Sequence, residues 1–236
     1  MMADWLGFLL QGLWTTLLLV AVSTVLTLAL AVPLAVWRIS PRRWIRWLSG
    51  SFVEVFRSIP LPVLLAALYF GFGPKLSALG LGAFELAVIG IVLNEAAYLA
   101  EVYKGLLLSI PNGQWQAAAS LGMRRWQAFR LVLLPQLRRP AVPHTVNGFI
   151  YIVKGSALAS IITVQELTLH ANQLMIETFR PLEVYLLVGV IYLAINIPVS
   201  YLARLAERDP RRRQAASAGA GRARPDAEPV APGASV

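Results

Sequence analysis

The sequence predicts an all-α integral membrane protein with five transmembrane helices, and three observations carry that prediction. The 236 residues are 57% hydrophobic and only 14% charged, with a mean hydropathy of +0.63, whereas soluble domains carry about 25% charged residues. The apolar residues gather into five long stretches, each near the roughly 20 residues that a crossing helix needs. Basic residues concentrate in alternate connections between those stretches, as they do in a multi-pass protein.

The first expected span covers 7–36, which carries no charge, with Pro33 placed to kink its end. Asp4 stands where a signal peptide would have a positive region, so this span is expected to be retained. A basic, tryptophan-rich turn, Arg38 to Trp47, suits the headgroup region. The second span is expected at 51–72, entered through Glu54 and Arg57, which sit at i, i+3 and can pair, and disturbed early by Pro60 and Pro62. After a glycine- and proline-bearing turn, the third covers 83–108 with Glu85, Glu95 and Glu101. Residues 111–139 read as too polar to cross. The fourth span, 140–165, is uncharged apart from Lys154, and the fifth is 184–203. Residues 1–208 thus form one membrane domain, and 209–236, rich in Ala, Pro, Gly and Arg, are expected to be a disordered cytoplasmic tail.

The net charge of +9 does not point to nucleic acid, because its residues are interrupted by long uncharged stretches. Arg38, Arg42, Arg43 and Arg46 follow the first span, and Lys104, Arg124, Arg125, Arg130, Arg138 and Arg139 follow the third. Arg204, Arg208 and Arg211 to Arg213 follow the fifth, while only Lys75 and Arg180 lie in the opposite connections. This bias places the N-terminus outside and the C-terminus in the cytoplasm. There is no cysteine, which excludes disulfides and thiolate chemistry. His144 and His170 are isolated and make no metal site, and no catalytic grouping of Ser, His and carboxylate is found.

Between the third and fourth spans, Trp115, Ala119, Gly122, Trp126, Phe129 and Leu133 recur at spacings of three and four, the stripe of an amphipathic helix. Small residues, Ala117 to Ala119 and Gly122, keep its surface shallow enough for a partner's backbone. Within it, Gln116-Ala117-Ala118, Gly122, Val132 and Leu134-Pro135 stand in the register of the Glu-Ala-Ala pattern, and the chain resembles permease subunits of ABC importers. Further stretches resemble the branch that imports polar amino acids such as His, Glu, Gln, Arg and opines: FVEVFRSIPLPVLL from Phe52, AAYLAEVYKG from Ala96, LPQLRRPAVPHTVN from Leu134 and KGSALASIITVQEL from Lys154. Gln116 replaces the pattern's glutamate, Val132 its isoleucine, and Gly155 stands where many relatives have aspartate.

The resemblance implies a type I importer-like fold with a cytoplasmic coupling helix at 112–128, in the inner (plasma) membrane of a prokaryote. It implies a dimer with a second copy or a paralogue, two ATPase subunits below, and an extracytoplasmic solute-binding protein above. Gln116, Ala117, Ala118, Gly122, Leu134 and Pro135 become the ATPase-coupling residues. The chain has no phosphate-binding G-x-x-x-x-G-K-[ST]. ATP and Mg are therefore expected on the partner ATPase, with no cofactor in this chain, which is a transport subunit and not an enzyme.

Ionisable residues at membrane depth usually face a cavity or a partner. Glu95, Lys154 and Ser156 are therefore candidates for a polar substrate path, the other reading being an internal Glu95–Lys154 ion pair. Glu166 is a further candidate, meeting a substrate amine or standing in water at the rim. Glu101 and Arg57 are expected to be structural. An ion-coupled secondary transporter or channel using Glu95 and Lys154 is the alternative function.

Overall fold

The structure is a computed structural model that describes residues 2–207, so the expected tail at 209–236 lies outside the described residues. Among the described residues, ten α-helices follow one another. They are α1 (Met2–Arg38), α2 (Arg43–Ser58), α3 (Leu61–Ala66), α4 (Gly73–Ser77), α5 (Ala83–Leu108), α6 (Asn112–Ser120), α7 (Arg125–Ala128), α8 (Leu134–Ser156), α9 (Leu167–Thr178) and α10 (Pro181–Glu207). Wider π turns join α3 to α4 (Ala67–Phe72) and α7 to α8 (Phe129–Leu133), and a 3-10 turn, Ala157–Ile162, ends α8. Each π turn precedes a helix with proline at its second position, Pro74 or Pro135, where the missing N–H disturbs the ladder.

Four helical stretches are long and apolar enough to cross a membrane: 4–38, 83–108, 126–162 and 181–201. A fifth crossing arises if Arg43–Ser58 and Leu61–Ser77, bent by 100° to each other, count as one. The expected second span, 51–72, is thus broken at its prolines. Ile59 and Pro60 are extended, and the residue before a proline disfavours helix. The helical stretch of the fourth expected span also starts earlier than residue 140, at Trp126. Pro140 and Pro143 lie inside α8 rather than at its beginning.

The fold is centred on α5, whose fully buried Ala87, Ala96, Ala97 and Ala100 let neighbours approach closely. Gly90 extends this surface, since a Cβ there would come within 2.6 Å of Leu65 Cδ2. Apolar side chains form three clusters: Leu65, Ile91, Ile152 and Ile162 in the middle, Ala31, Val53 and Leu99 towards one end, and Trp5, Leu9, Leu167 and Val184 at the other. Long exposed apolar residues, among them Leu186, Val190, Leu193 and Ile197 on α10, suit lipid rather than water.

Several polar groups inside this apolar body are satisfied across helices, as a medium without water favours. Asn94 of α5 donates to the carbonyls of Phe56 (2.8 Å) and Ile59 (3.2 Å), which the break between α2 and α3 leaves free. One turn on, the Tyr98 hydroxyl donates to the Arg57 carbonyl at 3.0 Å. Thr16 Oγ1 in α1 accepts the Leu167 N–H at 3.0 Å, fixing the start of α9. Arg38, at the end of α1, meets Glu101 Oε2 at 2.7 Å and Glu54 Oε1 at 3.8 Å, and Lys104 holds the other Glu101 oxygen at 2.7 Å. Glu54 therefore faces Arg38 rather than its helical neighbour Arg57.

Candidate functional site: a helical corner and two polar clefts

The stripe from Trp115 to Leu133 is not one helix. The segment expected as a coupling helix at 112–128 folds as two helices, α6 and α7, because the chain turns at Gly122. Gly122 has φ +72°, a left-handed conformation that glycine adopts without a Cβ penalty. Its N–H donates to Ala119 O (2.9 Å) while the Met123 N–H donates to Ala118 O (3.1 Å), the paired closure of a Schellman turn. Across the corner, Gln127 Oε1 accepts the Arg124 N–H at 2.9 Å and caps the start of α7.

Gln116 and Ala117 are exposed on α6, whereas Ala118 is buried. Gly122 has nothing within 4 Å of where a Cβ would stand, so its corner is open. Trp115, Gln116, Ala119, Met123, Trp126 and Phe129 line a hollow of about 710 Å³ beside Trp37 at the end of α1. Trp126 stacks on Phe129 at 5.7 Å between ring centroids. Leu134 and Pro135 lie at the first turn of α8, away from the corner itself.

The path candidates separate into three surroundings. Glu95 lines a cavity of about 480 Å³ with Asn94, Tyr98, His144, Asn147 and Tyr151. Its carboxylate lies against the backbone of α8, where a Cβ on Gly148 would stand 3.2 Å from Oε1. Arg57 sits over the Tyr98 ring, 5.3 Å from its centroid. Lys154 lines a different cleft, about 840 Å³ between α8 and α10, with Tyr192, Asn196 and Ser200. No ion pair joins Glu95 to Lys154 among the described residues.

Ser156 and Glu166 belong to a buried knot, and neither is exposed at all. Glu166 caps α9, accepting from the Thr168 (2.9 Å) and Leu169 (2.8 Å) N–H groups, and the Tyr192 hydroxyl donates to it at 3.3 Å. Ser156 donates to Val153 O at 2.7 Å and also reaches Tyr192. Tyr192 thus links this knot to the Lys154 cleft. Sequence reasoning missed the polar stripe of α8, in which His144, Asn147, Tyr151 and Lys154, all exposed, follow spacings of three and four. That spacing is present in the sequence to find it.

Comparisons with known proteins agree with this architecture. Residues 23–212 match the family described as "binding-protein-dependent transport system inner membrane component". The probable amino-acid ABC transporter permease protein YckA of Bacillus subtilis is 36% identical over 188 residues, 80% of this chain and 82% of that one. The octopine transport system permease protein OccM of Rhizobium meliloti is 37% identical over 206 residues, 84% of each chain. A crystal structure of an amino acid ABC transporter with histidines matches with a TM-score of 0.78 at 31% identity, over 88% of this chain and 96% of that one. With the family matched over most of its length and the helices arranged as in that transporter, the chain belongs to the binding-protein-dependent transport system inner membrane components, the permease subunits of ABC importers, which are transport components rather than enzymes.

Proposed function

We propose that this permease carries a polar amino acid or a similar zwitterion across the inner membrane of a prokaryote, after an extracytoplasmic solute-binding protein delivers it. The permease pairs with a second copy or a paralogue and rests on two ATPase subunits, which bind ATP and Mg. Its N-terminus lies outside and its C-terminus in the cytoplasm, on the side of the basic connections. Glu95, Lys154, Ser156 and Glu166 belong to the permeation apparatus. Glu95 and Lys154 face open clefts, whereas Ser156 and Glu166 hold the walls through Tyr192.

Coupling runs through the corner formed by α6 and α7, with Gln116, Ala117, Ala118 and Gly122 at the ATPase and Leu134 and Pro135 leading into α8. The observation that carries this reading is the open corner at Gly122, whose flanking residues keep the Glu-Ala-Ala register. A short helix ended by a Schellman turn presents a firm, shallow surface, and the π turn and α8 continue from it directly towards the lysine-bearing cleft. Nucleotide-driven closure below would then bias the permease between inward- and outward-open states.

Coexpression with a soluble ATPase subunit tests the coupling, followed by uptake of labelled amino acids into proteoliposomes that carry the binding protein. Copurification of the ATPase and uptake that requires ATP are the expected results. Uptake driven by an ion gradient without ATP would overturn the proposal.

A further inference from the structure

We infer that the turn between α1 and α2, with the first turns of α2, forms a binding surface for an anionic phospholipid of the cytoplasmic leaflet. Arg42 and Arg43 meet the phosphate, and Trp44, Trp47 and Leu48 lie against the rest of the lipid. The inference takes the side of the membrane from the proposed topology and concerns no part of the substrate path.

Charge is the first observation. Between Asp4 and Glu54 the sequence holds no acidic residue, while Arg38, Arg42, Arg43 and Arg46 crowd into its second half. The fold divides these four. Arg38 is largely buried and reaches Glu101 at 2.7 Å and Glu54 at 3.8 Å. Arg46 turns back and donates to the Ser40 carbonyl at 2.9 Å, which braces the turn. Arg42 and Arg43 are exposed and have no ion pair among the described residues. A guanidinium fork matches phosphate oxygens, and the negative potential of an anionic leaflet attracts such residues. A zwitterionic headgroup brings its own cation, so two unpaired arginines favour the anionic class.

The apolar face is the second. Trp44, Trp47 and Leu48 are 65%, 73% and 60% exposed, and Ser51 and Val55 continue the row from Trp44 and Leu48 at helical spacing. The opposite face of α2, with Ser49, Gly50 and Val53, is buried against the protein. Indoles beside arginines on one exposed face mark an interfacial helix. A soluble acidic partner would meet the arginines and leave this row uncovered, whereas a lipid answers both. The last turn of α2 is fastened to Asn94 and Tyr98, near the middle of α5. The helix therefore runs inwards from its arginines, and its exposed row follows a lipid from headgroup to acyl chain.

The test places a fluorophore on the single thiol of Ser51→Cys, in the permease–ATPase complex reconstituted into phosphatidylcholine vesicles. Dibrominated phosphatidylglycerol or dibrominated phosphatidylcholine is then titrated in, and quenching reports which lipid rests beside α2. Phosphatidylglycerol is expected to bind about five-fold or more tightly than phosphatidylcholine, as surface arginines at an anionic leaflet require. Arg42→Gln combined with Arg43→Gln should bring that ratio close to one, in complexes that still copurify with the ATPase, and the corresponding pair of lysine substitutions should keep part of it. Lys75→Gln, exposed on the opposite side, should leave the ratio unchanged. Equal quenching by the two lipids before any arginine is replaced, or an equal fall in Lys75→Gln, would overturn the inference. So would an unchanged ratio in the double glutamine variant, and loss of the ATPase in that case would assign the arginines to the ATPase instead. ATP-dependent amino-acid uptake alongside any of these results would leave the importer reading standing while removing this one.

Discussion

Asn94 is the residue whose side chain has the clearest structural task, since both of its donors go to carbonyls that no helix can satisfy. Asn94→Leu keeps the volume and removes the donors, so it should destabilise the assembled permease by about 1–3 kcal/mol. A lowered thermal unfolding midpoint in detergent checks this. Gly90→Ala acts by volume instead. The added methyl meets Leu65, a fully buried core residue, and overpacking of this kind costs about 1–3 kcal/mol, measured in the same way. Neither role was legible in the sequence, because each depends on which face of α5 meets which neighbour. Glu101 was legible as structural, through its match to the family's Ala-Glu pattern near the cytoplasmic end of the third span. The fate of Glu166, a fully buried helix cap, was not, since the same carboxylate after an apolar run reads equally well as a rim group.

Among the elements, the corner between α6 and α7 gives the sharpest expectation. A β-branched residue at Gly122 would be held in a left-handed conformation that costs about 1–2 kcal/mol. Gly122→Val should therefore detach the ATPase, whereas Gly122→Asn, more tolerant of that conformation, should retain it. Copurification yields of the two variants decide the matter. Four apolar stretches were readable in the sequence as helices long enough to cross, because hydrophobic length is the main signal of a crossing. The two-helix corner was not, because the stripe of apolar residues continues in register across Gly122, although a glycine just past a helical run is itself a stop signal. The break at Ile59–Pro60 was half readable: Pro60 and Pro62 announced a disturbance, but neither its 100° angle nor the bonds from Asn94 and Tyr98 that satisfy the freed carbonyls can be read from local sequence.

For the whole molecule, orientation is the quantity to measure, and the absence of cysteine makes the measurement simple. Ser77→Cys, exposed at the end of α4, and Ser120→Cys, exposed at the end of α6, each introduce a single thiol. With the proposed topology, an impermeant maleimide should label Ser77→Cys on intact spheroplasts and Ser120→Cys only after permeabilisation. The reverse pattern would invert the molecule and place the α6–α7 corner where no cytoplasmic ATPase could reach it.

The join between α2 and α5 has a mechanical meaning. Because Asn94 and Tyr98 fasten the broken helix at Phe56, Arg57 and Ile59, the amphipathic α2 is tied at its end to the helix that carries Glu95. A shift of α2, from lipid pressure or from a neighbouring subunit, is therefore expected to pull on the α5 turn that carries Glu95, so that the rim and the interior of the carrier respond together.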